Sequence, residues 1–128
     1  MIDDGRALFL QIAESVEDSI IDGSLLEESQ APSTNELAAF HRINPATAAK
    51  GVNMLVDKGV VYKRRGIGMF VASGARDRLV SERRTAFADR YVDPLLLEAR
   101  KLGLGPDDLA DLIRSRSVGA ARNEGTAS

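Results

Sequence analysis

Apolar residues recur at every fourth position near the N-terminus of this 128-residue chain. The spacing places them on one stripe of an α-helix over residues 6–22, and Gly23 and Ser24 end the pattern. Acidic residues, including Glu17, occupy other positions of the same segment and so lie around the other faces of the helix. The apolar stripe consists of Leu8, Ile12, Val16 and Ile20.

Two further helices are predicted from their capping residues. Ser33 followed by Glu36 forms a capping box, and Asn44 followed by Pro45 caps and begins the next helix. Gly59 is a helix-ending residue. Because few residues separate these two helices, the pair is typical of a helix-turn-helix. The apolar residues expected to face the core are Leu37 and Phe40 in one helix and Val52, Leu55 and Val56 in the other.

A β-hairpin is predicted after the third helix. The runs VVYKRR and MFVA have strand character and flank the turn formed by Gly66, Ile67 and Gly68. Three helices followed by a hairpin make a winged helix-turn-helix. The sequence therefore predicts a mainly α fold with a small β-hairpin, and we assign the winged domain to residues 1–75.

The pattern becomes helical again from about residue 76. Pro94 should interrupt this helix, because it lacks an N–H and its ring displaces the carbonyl of Arg90. Gly103 ends the helix, and Pro106 lies in the first turn of a last one. We assign residues 76–117 to a two-helix dimerisation tail and residues 118–128, which lack apolar mass, to a disordered tail.

The tail helices carry more apolar residues than two helices can bury against each other. A symmetric homodimer is the commonest way to cover such a surface, and folding back onto the winged domain is the alternative. The expected dimer contacts are Phe87, Tyr91, Leu95, Leu96, Leu102, Leu109, Leu112 and Ile113.

The charges are distributed unevenly although the net charge is only −2. Residues 1–32 carry eight acids and one cation, a net of −7, whereas residues 33–78 carry eight cations and three acids, a net of +5. A positive block of this kind is typical of a nucleic-acid-binding surface. Arg76 and Arg78, at the end of the block, are expected to be solvated.

Other classes of protein are disfavoured by what the sequence lacks. It has no cysteine and one histidine, His41, so no thiolate or histidine-rich metal site is available. The glycine pair at Gly66 and Gly68 lacks the third glycine and the strand-to-helix setting of a dinucleotide site. No apolar run approaches the roughly 20 residues of a membrane span, and the N-terminus is acidic where a signal peptide is basic. We therefore expect a cytoplasmic protein that is not an enzyme and uses no metal or cofactor.

The start of the third helix carries short or polar residues that suit a DNA groove. Bulky apolar side chains would not fit against base edges and phosphates there, although an ordinary capped helix with a small polar face has the same pattern. Ser33 and Thr34 have two interpretations as well: they contact a DNA phosphate at a helix N-terminus, or they serve as caps alone. The residues at the start of the third helix are Asn44, Ala46, Thr47 and Lys50.

The motifs PSTNELA and INPATAAKGVNMLVDKGVVYKRRGIGMFV, with the helix before them, resemble the DNA-binding domain of GntR-type bacterial transcription regulators over residues 6–72. The remaining helices are similar to the short dimerisation tail of the YtrA subfamily. The resemblance implies a repressor that places the helix from Pro45 in the major groove of double-stranded DNA and the wing at the minor groove. A two-fold protein of this kind predicts a palindromic operator. The expected DNA-binding residues are Ser33, Thr34, Asn35, Arg42, Asn44, Pro45, Ala46, Thr47, Lys50, Arg64, Arg65, Gly66, Ile67 and Gly68.

Several positions depart from the family's pattern. Many relatives carry arginine where Asn35 stands, and some subfamilies carry it at Pro45 and Ala49, so guanine readout from these positions is not implied. Relatives usually have glycine where Arg42 stands. If that turn needs a positive φ, Arg42 carries a strain of roughly 1 kcal/mol, and its side chain can reach a phosphate.

Two further possibilities stay open from the sequence. Winged helices do not all bind DNA, and the first helix is acidic, so a protein–protein interaction module is the alternative function. Steep weakening of DNA binding with salt would separate the two. A cleft between the helix interrupted by Pro94 and its dimer mate could also hold a small apolar effector.

Overall fold

The structure is a computed structural model that describes residues 7–127, with side chains described through residue 119. Residue 6, which the sequence placed in the first helix, and Ser128 lie outside the described residues. The described part of the chain is a winged helix-turn-helix followed by further helices. Its elements are α1 (Leu8–Ile21), α2 (Thr34–His41), α3 (Pro45–Asp57), β1 (Val61–Arg64), β2 (Gly68–Val71), α4 (Ala75–Phe87), a π-helical segment (Ala88–Val92), α5 (Asp93–Lys101) and α6 (Pro106–Ala127).

The core of the winged unit forms where α1 packs against α3. The predicted apolar stripe of α1 is buried except at Leu8, which is the first helical residue and is exposed. Gly51 lets the two helices approach closely, because a Cβ at this position would lie 2.8 Å from the carbonyl oxygen of Phe9. Val56, which the sequence assigned to the buried face of α3, is exposed instead. The buried residues of α3 are Ala48, Gly51, Val52 and Leu55.

Helix α2 begins with the predicted capping box. The Ser33 Oγ accepts a hydrogen bond from the Glu36 backbone N–H at 3.1 Å, and the Ser33 N–H donates to Glu36 Oε1 at 2.8 Å. Leu37 and Ala38 are buried, but Phe40 is 81% exposed, so the prediction that it faces the core was wrong. At 3.6 residues per turn, Phe40 points about 110° away from a direction midway between Leu37 and Ala38.

The wing is the predicted hairpin of β1 and β2. The strands are antiparallel, with Val61 opposite Val71 and Arg64 opposite Gly68. The other edge of β2 is covered by the connection between α1 and α2, which the sequence did not predict. There the Ala31 N–H donates to the Met69 carbonyl at 2.8 Å, next to a bridge between Gln30 and Phe70. The wing is therefore supported along both edges of β2.

The chain divides into two compact units, the first ending at Glu82 and the second beginning at Arg83. The division falls within α4, later than the boundary that the sequence predicted after residue 75. The first two turns of α4 belong to the winged unit because Ala75 and Leu79 are buried in its core.

The second unit contains the end of α4, the π-helical segment, α5 and α6. The predicted interruption at Pro94 takes the form of π-helical geometry directly before it, where the Asp93 N–H donates to the Ala88 carbonyl. Gly103, with φ at +75°, follows the end of α5 as predicted. Helix α6 continues to Ala127, whereas the sequence predicted a disordered tail from residue 118. None of the helices in the described part is long and apolar enough to cross a membrane.

Candidate nucleic-acid interface

The N-terminus of α3 is arranged as the capping residues predict. The Asn44 Oδ1 accepts a hydrogen bond from the Ala46 backbone N–H at 2.7 Å, and Pro45 occupies the first turn. The Asn44 side chain is therefore used as a cap, as the Ser33 hydroxyl is at the start of α2. Asn44, Pro45 and Ala46 are all exposed, and Thr47 is half-buried. The N-terminal end of the third helix is thus open to a large ligand.

Arg42 occupies the turn between α2 and α3 in a left-handed conformation, with φ 56° and ψ 51°. The turn is closed by the N–H groups of Arg42 and Ile43, which donate to the carbonyls of Ala39 and Ala38. The sequence predicted strain at Arg42 if this turn needs a positive φ, and Arg42 does adopt a positive φ here. A non-glycine residue in this region is strained by about 1 kcal/mol or more, and the Arg42 side chain is exposed.

Lys50 lies against α1. Its ammonium group is 4.2 Å from the centre of the Phe9 ring, a cation–π contact that links α3 to α1. The Lys50 side chain remains exposed. Sequence reasoning missed the part played by Phe9, because the two residues are far apart in the chain and neither carries a motif.

The wing tip is built from glycines and exposed cations. Gly66 has φ +76° and Gly68 has φ +140°, so both positions use conformations that favour glycine. Arg64 lies over the ring of Phe70, at 5.0 Å from its centre, while Arg65 and Ile67 are exposed. The tip therefore presents positive charge on a tight turn.

Gln30 supports this tip and was not found from the sequence. Its side-chain amide Nε2 donates to the carbonyl of Ile67 at 3.1 Å. The same nitrogen lies 2.6 Å from the place where a Cβ on Gly68 would stand. Gly68 is therefore needed both for its φ and for the space that Gln30 fills. The only signal in the sequence was the glycine itself.

All of the predicted DNA-binding residues lie in the unit that ends at Glu82, and none of them is buried. Beside them, His41 packs edge-on against Phe40, with ring centres 4.9 Å apart, which is a structural contact. Among the described residues there is no group of three or more His, Asp or Glu side chains able to hold a metal ion.

One polar contact at the base of the wing perturbs a titrating group. The Tyr62 hydroxyl donates to Glu28 Oε1 at 2.6 Å. This hydrogen bond to a carboxylate, with some burial, raises the pKa of Tyr62 above its ordinary value. Tyr62 is therefore neutral and serves to hold the strand to the α1–α2 connection.

Most of the predicted dimer residues are exposed on the second unit. Leu109 is the exception at 5% exposure, so its assignment to an open dimer face was wrong. It lies in the first turn of α6, directly after the tight turn between α5 and α6, and is buried in the chain itself together with Ala99. Leu97 and Val118 are exposed apolar residues that the sequence did not single out. The predicted residues that are exposed are Phe87, Tyr91, Leu95, Leu96, Leu102, Leu112 and Ile113.

Comparisons with known proteins agree with this arrangement. The model of the gntR family of bacterial regulatory proteins matches residues 8–71. The transcriptional regulator YhcF of Bacillus subtilis is 25% identical over 89% of this chain and 93% of its own length. The transcriptional repressor YtrA of the same organism is 24% identical over 87% of this chain and 85% of its own.

A solved structure extends the match to the second unit. A protein of Bacteroides thetaiotaomicron described as a GntR-family transcriptional regulator superposes with a TM-score of 0.74 and 31% identity. The match covers 89% of this chain and 99% of that one. The chain therefore belongs to the GntR family of bacterial regulatory proteins and is a DNA-binding transcriptional regulator rather than an enzyme.

Proposed function

We propose that this protein is a homodimeric repressor that binds a palindromic operator in double-stranded DNA and acts in the cytoplasm. The observation that carries the proposal is the winged unit itself, in which the uncovered N-terminus of α3 and the cationic wing tip belong to one compact body. The repressor role is suggested by the similarity to YtrA.

In this proposal the start of α3 enters the major groove. The exposed positions Pro45 and Ala46 are small enough to let the helix approach base edges. Thr47 lies on the same turn of α3, and Lys50 lies on the next one. Asn44 caps α3, and Ser33 and Thr34 lie at the start of α2. The positive end of the helix dipole at each of these starts favours a phosphate.

The wing supplies contacts of a different kind. Arg64 and Arg65 stand beside a tip with almost no side-chain bulk at Gly66 and Gly68, so the backbone can approach the minor groove closely. Arginine contacts to phosphates add affinity but carry little sequence information. The wing therefore positions the protein, and α3 selects the sequence.

Dimerisation would be the task of the second unit. Its large exposed side chains include the neighbouring rings of Phe87 and Tyr91, with ring centres 5.5 Å apart, and several leucines of α5. Surfaces of this kind on a small unit mark an interaction site. A two-fold dimer would present two α3 helices to half-sites about 34 Å apart, which is one turn of DNA.

The experiment that tests the proposal is selection of bound fragments from random DNA with the full-length chain. A recovered inverted repeat supports the proposal, and the absence of any enriched motif counts against it. In a reporter strain that carries the recovered site upstream of a test gene, the protein should lower expression. Sedimentation at micromolar concentration should show a dimer, and a monomer alone would contradict the two-fold arrangement.

A pair of variants tests the wing directly. Arg64→Ala combined with Arg65→Ala should abolish operator binding while leaving sedimentation unchanged. The matched control, Arg100→Ala with Arg116→Ala, removes the same charge from exposed positions of α5 and α6. Operator binding by the wing variant equal to that of the control would exclude the wing assignment.

The proposal also includes a small apolar effector near the π-helical segment. Pro94 lies in the first turn of α5, directly after this segment. Tyr91 is exposed within the segment, and Leu95 is exposed at the start of α5. A ligand held between this segment and its dimer mate would alter the spacing of the two winged units. A thermal-shift screen of apolar compounds tests this idea, and a compound that stabilises wild type but not Tyr91→Ala supports it.

A further inference from the structure

The start of α4 is tied to the winged unit by a group of charged side chains that the proposed DNA contacts do not use. We call this group the α4 clasp. It binds α4 to three different parts of the unit, which are α1, the α1–α2 connection and the C-terminus of α3. Its members are Glu17, Glu27, Lys58, Arg76, Arg78 and Glu82.

The first attachment caps α4. Both carboxylate oxygens of Glu27 accept backbone hydrogen bonds, one from the Gly74 N–H and one from the Arg76 N–H, each at 3.0 Å. The Arg76 side chain then donates to the carbonyl of Ile21, at the end of α1, at 2.9 Å. A carboxylate at a helix N-terminus is favourable both as a cap and towards the helix dipole. Arg76 is exposed, as the sequence predicted, but its side chain is also held by α1, which the sequence did not predict.

The second attachment joins α4 to the third helix. The Arg78 guanidinium donates to the carbonyl of Gly59 at 2.7 Å and to that of Lys58 at 3.4 Å. These carbonyls lie at the C-terminal end of α3, where a cation is favourable. Arg78 is exposed, as the sequence predicted, and its guanidinium is also held at the end of α3, which the sequence did not predict. Any movement of α4 would have to break a contact with α3, the helix proposed to read DNA.

The third attachment is an ion-pair network. The Lys58 ammonium is 2.6 Å from Glu17 and 2.9 Å from Glu82, so one cation joins α1 and α4 at the end of α3. The Glu17 side chain is only 8% exposed, and a buried carboxylate requires a charged partner. Burial by itself lowers the pKa of Lys58, but the hydrogen bonds to Glu17 and Glu82 outweigh it and leave the pKa raised. Lys58 therefore stays charged and remains paired with both carboxylates.

These contacts hold the first two turns of α4 within the winged unit. Ala75 and Leu79 bury the inner face of α4, but apolar contact is non-directional and permits a helix to rotate or slide. Hydrogen bonds and ion pairs at its start, its first turn and its second turn define its direction. Helix α4 is continuous through Phe87 and leads into the proposed dimerisation unit.

We propose that the α4 clasp is a positioning device that sets the spacing between the two operator half-sites. The inference rests on the proposed function, because only a dimer that reads two half-sites has a spacing to set. Adding one base pair moves one half-site by about 3.4 Å and rotates it by about 35° about the DNA axis. If α4 is held rigidly, the two winged units should be unable to follow this displacement of the half-site. If α4 is held loosely, they should be able to follow it.

The test uses a clasp variant and a matched control in the full-length chain. The clasp variant is Arg78→Ala with Glu82→Gln, which leaves Glu17 paired with Lys58 and so avoids an unpaired buried carboxylate. The control is Arg114→Ala with Glu98→Gln, which removes the same charges from exposed positions of α5 and α6. Binding is measured on the selected operator, on operators with one base pair added or removed between the half-sites, and on a single half-site.

Wild type and control should lose roughly tenfold or more in affinity when the spacing changes, because linked sites lose their advantage when both cannot be engaged together. The clasp variant should lose less than about threefold, with single half-site binding unchanged. Equal spacing discrimination by wild type and clasp variant would overturn the inference. Weaker single half-site binding by the clasp variant would also overturn it, because the clasp would then support the reading surface itself.

Failure of the proposed function, unfolding of the variant and failure of the clasp give different results. If wild type enriches no two-fold motif, the proposed function fails and the inference falls with it. If the double variant unfolds, Glu82→Gln alone, at a side chain that is 55% exposed, should show the same relaxation of spacing to a smaller extent. Amide hydrogen exchange should be faster in the first two turns of α4 in the clasp variant and unchanged in the control. Unchanged exchange there in the clasp variant contradicts the clasp as the holder of α4.

Discussion

Replacing Arg42 with glycine should make the protein more stable and its DNA binding weaker. Arg42 has φ 56°, a conformation that costs an ordinary residue about 1 to 2 kcal/mol. Glycine avoids this strain but gains about 0.5 to 1 kcal/mol of conformational freedom in the unfolded chain. The net gain in the free energy of unfolding should be about 0.5 to 1 kcal/mol. For a unit of this size that corresponds to a rise in Tm of about 2 to 8 °C.

Arg42→Ala separates the backbone effect from the removal of charge. Alanine keeps the strain and removes the guanidinium, so its free energy of unfolding should lie within about 0.5 kcal/mol of wild type. Both variants should bind the operator more weakly, because neither has a guanidinium to neutralise the proposed phosphate. Since each half of a dimer would neutralise one phosphate fewer, the slope of log K against log salt should fall by roughly 1.8. Urea unfolding and binding titrations at several salt concentrations measure the two effects.

Three results would refute these expectations. Equal free energies of unfolding for the glycine and alanine variants would show that the left-handed conformation at Arg42 does not destabilise the protein. An unchanged salt slope in both variants would show that Arg42 does not contact a phosphate. A fall in stability of the glycine variant would mean that the arginine side chain stabilises the fold by more than the strain it imposes.

Three other predictions follow from single contacts. Gly51→Ala should lower the free energy of unfolding, measured in urea, by about 1 to 3 kcal/mol through overpacking, because its Cβ would lie 2.8 Å from a carbonyl oxygen of α1. The control Gly119→Ala places a Cβ where nothing lies within 4 Å and should not lower the stability. Equal losses of stability in the two variants would contradict the prediction. The hydrogen bond from the Gly74 N–H, and after it the one from the Arg76 N–H, lowers the pKa of Glu27. The stability that ionised Glu27 contributes is therefore fully present above its unfolded pKa of about 4.5 and is lost as the pH falls through the lower folded pKa. The urea midpoint should drop less on acidification in Glu27→Gln than in wild type, and parallel curves of midpoint against pH would contradict this prediction. Gln30→Ala should weaken operator binding by about fivefold, because the wing tip loses a hydrogen bond worth about 1 kcal/mol, and an unchanged anisotropy titration would remove Gln30 from the site.

The helix starts and the wing were predictable because their signals are local. Ser33 and Glu36 are three residues apart and form the predicted box, and Asn44 caps the residue two positions on. The glycines of the wing tip take positive φ angles that few other residues adopt. In each case the residues that define the feature are neighbours in the chain, so their pattern already contains the geometry.

The errors lie where a residue stands at the edge of an apolar face. Phe40 and Val56 are apolar and fit a helical period, but the surfaces of α2 and α3 that the core covers are narrower than the period suggests. Leu109 shows the opposite effect, because the fold of the chain itself buries a residue that the pattern left for a partner. Periodicity predicts which face of a helix a side chain lies on, and only the packing of neighbouring elements decides how much of that face is buried.

The sequence by itself determined that this chain is a winged helix-turn-helix with its positive charge concentrated in the segment from residue 33 to residue 78. Capping, turn formation and helical period act over a few residues, so they can be read along the chain. Only the tertiary structure decided that Glu17 is buried and meets Lys58, 41 residues away. It also showed that Arg78 binds the end of α3 and that Gln30 holds the wing. Such contacts depend on distance in space, because a charge or an amide is satisfied by whichever partner the folded chain brings within about 3 Å of it.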